Sequence, residues 1–157
     1  YSIGTMITRK ERLMLLTLLS NRYSVKLFSG DQVDAMEKVQ KMGRVDYMTQ
    51  MPGVFRFSKI NLNCNLRVSQ SGIPLRVMDI LGSGGFLLSS FQPEVAEYFR
   101  PDEEVVLYES MEDACEKVEF YLKHEDIRLR IAEKGHEAVK NQFSYRNQLT
   151  KLYQTAL

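Results

Sequence analysis

Pro74-Leu75-Arg76-Val77-Met78-Asp79-Ile80-Leu81-Gly82-Ser83-Gly84-Gly85-Phe86-Leu87-Leu88-Ser89-Ser90 is the stretch from which the fold is read. Proline suits the first turn of a helix, where its missing N–H has no partner to lose. The spacing predicts a helix to Leu81, broken by Gly82-Ser83-Gly84-Gly85. Glycine past a helix end supplies the left-handed conformation that closes it. Phe86-Leu87-Leu88-Ser89-Ser90 then reads as a buried strand. Residues 59–64 on the amino side alternate polar and apolar, so a second strand is expected there, followed by a loop over 65–74. On the carboxyl side come a short helix over 93–99 and a strand over 104–108.

The pattern then turns helical. Ser110 and Asp113 form a capping box. Met111, Ala114, Cys115, Val118, Tyr121 and Leu122 trace one face, and Ile127, Ile131, Gly135 and Ala138 trace the next. Ser144 is expected to cap a last helix over 145–157. Toward the amino terminus, residues 1–3 read as a short strand ending at Gly4. Thr8 and Glu11 read as a capping box opening a helix through Leu13, Leu16 and Leu19. Residues 23–28 and 44–46 read as strands, 48–57 as a helix, and 31–44 as a weak helix or a long loop. Strands alternating with helices predict an α/β fold: a Rossmann-like, doubly wound parallel sheet with a helical tail over 111–157.

The chain has 157 residues, 44% hydrophobic and 26% charged, which excludes disorder and fibrous repeats. One domain over 1–157 is expected. The 21 Lys+Arg against 20 Asp+Glu leave a formal charge of +1, so there is no net pull toward nucleic acid or anionic membrane. No run approaches the roughly 18 apolar residues of a membrane span. Cys64 and Cys115 make no disulfide framework, and buried thiols in a reducing, cytoplasmic setting are expected. No secretory leader is visible, and the opening at Tyr1 suggests a domain cut from a longer chain.

In a parallel sheet, ligands bind outside the carboxyl ends of the strands, so loops leading from strand to helix are where chemistry belongs. Gly82-Ser83-Gly84-Gly85 runs the wrong way, from helix to strand. Gly4 and Thr5 follow the first expected strand, as a ligand-approaching loop or a plain turn. The loop from Ser69 to Pro74 also leads into a helix. Gly72 there permits close approach, and the N–H groups of Ile73, Leu75 and Arg76, on either side of Pro74, suit a diphosphate. Arg76 and Asp79 share a helix face. They are either a surface ion pair or a phosphate contact beside a ribose contact. His124 and His136 have no ligand partners at metal spacing and read as packing residues. No nucleophile elbow and no Gly-x-Gly-x-x-Gly follows a strand.

Lys59-Ile60-Asn61-Leu62-Asn63, the stretch from Ser71 to Ser89, Glu94-Val95-Ala96-Glu97-Tyr98-Phe99, Glu104-Val105-Val106-Leu107-Tyr108, Arg128-Leu129-Arg130-Ile131-Ala132-Glu133-Lys134-Gly135 and Phe143-Ser144-Tyr145 together resemble the C-terminal domain of group 1 glycosyltransferases of GT-B fold. More narrowly they resemble the CgeB-like (spore maturation protein) branch. The resemblance implies a nucleotide-sugar-binding half that works with an N-terminal acceptor-binding domain and without a bound metal or cofactor. It implies a nucleoside-diphosphate sugar, a UDP-sugar, as donor. It places Asp79 where the family commonly has a ribose-holding Glu, and Ser71 where the motif has its first Glu. Both departures leave open a GT-B-like module that binds or interacts without catalysis. Gly4 matches the first turn that approaches the diphosphate, and Gly72 and Arg76 match the CgeB-like pattern. Arg67 is a further candidate for the leaving diphosphate, whose charge a metal-free site stabilises with a helix N-terminus and basic side chains.

Overall fold

Every strand pairing in the computed structural model is parallel. The structure describes residues 3–30, 37–64, 72–143 and Gln154. The α/β architecture with parallel sheets expected from the sequence is the one observed. The chain divides into two compact units, Tyr1–Met51 with Cys64–Ser71, and Pro52–Asn63 with Gly72–Leu157.

The first unit holds helix α1 (Ile3–Ser20) and the parallel pair β1 (Lys26–Leu27) and β2 (Gln40–Lys41). Leu15, Leu16, Leu19 and Val39 are its buried apolar residues. Here the sequence reading needs correction. Ile3, Gly4 and Thr5 are helical, so no strand-to-helix turn lies at Gly4, and Thr8 is interior rather than a cap. Ile3, Met6 and Ile7 continue the helical spacing of the leucines, and one glycine costs a helix only about 1 kcal/mol. The strand expected over 44–46 is replaced by a turn. Asp46 Oδ1 accepts from Met48 N (3.1 Å), Thr49 N (2.7 Å) and Thr49 Oγ1 (2.6 Å). An aspartate that bonds to the backbone just ahead of it favours a turn over a ladder. The Thr49 hydroxyl and these N–H groups hold its carboxyl below the ordinary range, against a small opposing effect of burial. Residues 31–36 lie outside the described part, and 37–44 contain β2 rather than a helix.

The second unit centres on a three-stranded parallel sheet, β3 (Asn61–Asn63), β4 (Leu87–Ser90) and β5 (Val106–Tyr108), in that order. Asn63 pairs with Ser89, and Ser90 with Tyr108, so the carboxyl ends of the strands lie side by side. Helix α2 (Met51–Phe57) precedes β3, α3 (Leu75–Gly82) joins β3 to β4, and α4 (Pro93–Tyr98) leads from β4 toward β5. Val77, Ile80 and Leu81 of α3 are buried with Leu87 and Leu88. The glycine turn closes α3 as expected: Gly84 N donates to Leu81 O and Gly85 N to Ile80 O, both at 2.9 Å, with Gly84 at φ +75°.

Helices α5 (Met111–Lys123) and α6 (Glu125–Gln142) complete the unit. Ser110 caps α5 as expected, Asp113 N donating to Ser110 Oγ (3.1 Å), while the return bond of the box is shifted by one residue: Asp113 Oδ2 accepts from Glu109 N (2.9 Å). Helix α6 packs on α3 through Gly135. A Cβ there would run into the Glu104 carbonyl oxygen and lie 2.9 Å from Leu81 Cδ2. His136 Nδ1 bonds Leu81 O at 3.0 Å on the same side. At the junction of the two helices the buried Arg128 donates to Tyr121 O (2.9 Å) and Glu125 Oε1 (3.0 Å). Cys64 and Cys115 are half-buried rather than buried, and neither is in a disulfide. The expected helix over 145–157 and its Ser144 cap fall outside the described residues, Gln154 excepted. Among the described residues no helix is long and apolar enough to cross a membrane.

Candidate functional site

Helix α3 lies between the parallel neighbours β3 and β4 in the chain, so its amino end belongs to the carboxyl side of the sheet, where ligands of parallel sheets bind. Gly72 adopts φ +91°, and among the described residues a Cβ at that position would meet nothing within 4 Å. Its backbone conformation is one that favours glycine. Pro74 at the N-cap has φ −59° and ψ 135° and supplies no side-chain cap. The first turn closes through Val77 N to Pro74 O at 2.9 Å. The N-cap residue therefore leaves the N–H groups of the first turn without a side-chain cap of its own. Gly72, Leu75 and Arg76 are exposed, and Ile73, Pro74 and Asp79 half-buried.

Arg76 is held from one side. Its guanidinium carbon lies 5.4 Å from the centroid of the Phe55 ring. Phe55 is itself fixed: Asn61 Nδ2 donates to its carbonyl at 2.8 Å and to Phe86 O at 3.1 Å. Gly85 lies so close that a Cβ would sit 2.6 Å from Phe55 O. A cation over a ring face keeps its N–H edge available to an oxyanion.

The strand ends beside α3 carry a buried polar set. Asn63 Nδ2 donates to Ser89 Oγ (3.1 Å), Ser89 Oγ to Ser90 O (3.2 Å), and Tyr108 Oη to Asn63 O (3.4 Å). Just past β4, Phe91 is half exposed, and its N–H donates to Tyr108 O at 2.8 Å. Gln92 follows it, buried.

The structure therefore brings Gly72, Ile73, Pro74, Leu75, Arg76 and Asp79 together on one segment. Arg67 and Ser71 lie outside the described residues. Gly4 and Thr5 lie within α1, not in a loop. Sequence reasoning passed over Phe55, Phe91 and Gln92. The rule that ligands sit past strand ends points to the last two, whereas nothing local in the sequence marks Phe55. His124 stacks on Phe120 and bonds its carbonyl (2.8 Å), so both histidines are packing residues as expected. Among the described residues no three of His, Cys, Asp and Glu converge as a ligand set.

The parallel sheets and the helices around them define an α/β fold, and the sequence comparison gives the family. The chain belongs to the glycosyl transferase-like family, whose model matches residues 9–154. Among solved structures it is similar to the C-terminal domain of a glycosyl transferase group 1 family protein (LpcC) from Francisella tularensis. The TM-score is 0.62 at 14% identity, covering 92% of this chain and 83% of that one. At that identity the likeness is one of fold, the C-terminal half of GT-B. No curated protein matches the sequence.

Proposed function

We propose that the chain is the donor-binding domain of a metal-independent glycosyltransferase of the CgeB-like branch, cytoplasmic, acting with an N-terminal acceptor-binding domain. The donor is a nucleoside-diphosphate sugar, with UDP as its nucleotide. Sugar transfer leaves a diphosphate, and the barrier falls if its growing charge meets positioned donors. The uncapped amino end of α3 carries this reading: main-chain N–H groups of the first turn face the anion, and Arg76 adds charge-assisted bonds from its place over Phe55. Asp79, one turn on, accepts from the ribose hydroxyls. Residues 1–157 act as one donor-binding domain that transfers nothing without its other half.

Calorimetric titration of the full chain with UDP in a chelating buffer tests this. Arg76 is exposed, so Arg76→Ala leaves the fold intact and weakens UDP about tenfold, the loss of one bond to a charged group. Absence of heat with UDP, GDP and ADP alike contradicts the reading. It then favours a non-catalytic interaction module, for which Asp79 and Ser71 in place of the family's glutamates already speak.

A further inference from the structure

The carboxyl edge of β4 has one unmatched group. Gln92 is 7% exposed, and its Oε1 has no hydrogen-bond partner among the described residues. Buried acceptors are nearly always paired, so an unpaired one calls for a reason. The polar groups of the strand ends, Asn63, Ser89, Ser90 and Tyr108, bond to one another. Nor does the side chain cap α4, although Gln92 stands at its N-cap; only the Gln92 carbonyl is engaged there, accepting from Ala96 N at 3.1 Å. Beside it the Phe91 ring is 49% exposed.

We propose that Gln92 is a ligand-recognition residue. Its Oε1 is buried and unpaired among the described residues. On binding the carboxamide rotates to accept a hydrogen bond from an O–H or N–H donor of the nucleotide sugar, with the Phe91 ring covering the ligand's apolar face. This rests on the donor-binding reading. Residue placement supports it: Gln92 follows β4, α3 is the next element after β3, and the two strands are paired neighbours. Adjacent strands lie about 5 Å apart, so a ligand whose diphosphate sits at α3 extends past the end of β4. The donor is a sugar hydroxyl or a base N–H, two sources of one chemistry.

Gln92→Met keeps the volume and removes the acceptor. The full-length variant is titrated with inorganic pyrophosphate, UDP and UDP-glucose, and its melting is followed without ligand. The variant is expected to melt above wild type, because a buried unmatched acceptor is gone. It binds pyrophosphate as wild type does and loses roughly fivefold in affinity, the worth of one hydrogen bond, for the ligand carrying the donor. A loss already seen with UDP assigns the bond to the base; a loss seen only with UDP-glucose assigns it to the sugar. Unchanged affinity for all three ligands, or a variant that melts below wild type, overturns the proposal. Pyrophosphate binding by wild type alongside either result leaves the donor-binding reading standing. A wild-type chain that takes none of the three brings down both.

Discussion

Gly135→Ala tests the packing that holds α3, and with it the candidate site. Alanine is the better helix former by about 1 kcal/mol, so helix propensity alone makes the change stabilising. The structure gives the opposite sign. The new Cβ would press on the Glu104 carbonyl oxygen and sit 2.9 Å from Leu81 Cδ2. Neither neighbour yields easily. Glu104 is tied by its N–H to Arg100 O (2.9 Å), and its carboxylate accepts from Arg100 N (2.9 Å) and Arg100 Nη2 (2.7 Å). Leu81 is 0% exposed. Overpacking costs about 1 to 3 kcal/mol, at the upper end when main chain must move. The net loss is about 2 kcal/mol, a fall in Tm of roughly 4 to 8 °C at this chain length. Gly82→Ala is the control: its Cβ would meet only Val139 Cγ1, at 3.9 Å, so the same chemical change is expected to gain about 0.4 to 1 kcal/mol. Urea unfolding followed by circular dichroism reads both. Gly135→Ala as stable as wild type, or Gly82→Ala equally damaging, refutes the reasoning.

Arg128→Ala strands the Tyr121 carbonyl and empties a buried site, for a loss of about 2 to 4 kcal/mol in urea unfolding, while Arg128→Met, which refills the volume, loses less. Gly72→Ala is expected to cost about 1 kcal/mol through its φ of +91° alone, and Gly72→Asn less, since asparagine tolerates positive φ better; equal stabilities contradict this. Asp113 is held below its ordinary value: burial pushes it up, but the bonds from Lys117 and Glu109 N and the Lys117 charge outweigh that. A lowered folded value means folding favours the ionised form, so the stabilisation is present above the unfolded pKa near 4 and is lost as pH falls through the folded value. The stability gap between wild type and Asp113→Asn is therefore expected to be widest above about pH 4 and to shrink on acidification, as measured by urea unfolding across pH.

Over residues 59–64 and 72–143 the elements were nearly transparent in the sequence, and the reason is local chemistry. Gly84 at C′, Pro93 in a first turn and the Ser110 box each act within a few residues, so α3, α4 and α5 could be placed before any coordinates. The amino-terminal unit was harder. A Thr-x-x-Glu pattern at Thr8 marks a cap only where the helix has not already begun, and α1 has begun by Ile3. Strand β2 has 2 residues, both exposed, too few to carry an alternation. At the candidate site, the start of α3 after Pro74 was legible because proline marks a first turn within its own few residues. Phe55 under Arg76 and the unmatched Gln92 acceptor were not, because ring contact and burial are made by residues distant in sequence.

Amide chemical-shift mapping on titration with UDP tests the central claim most directly. The account predicts that the largest shifts fall on the N–H signals of Gly72, Ile73, Leu75, Arg76 and Val77, at the amino end of α3. Large shifts confined to other segments, with these amides unmoved at saturating UDP, contradict it.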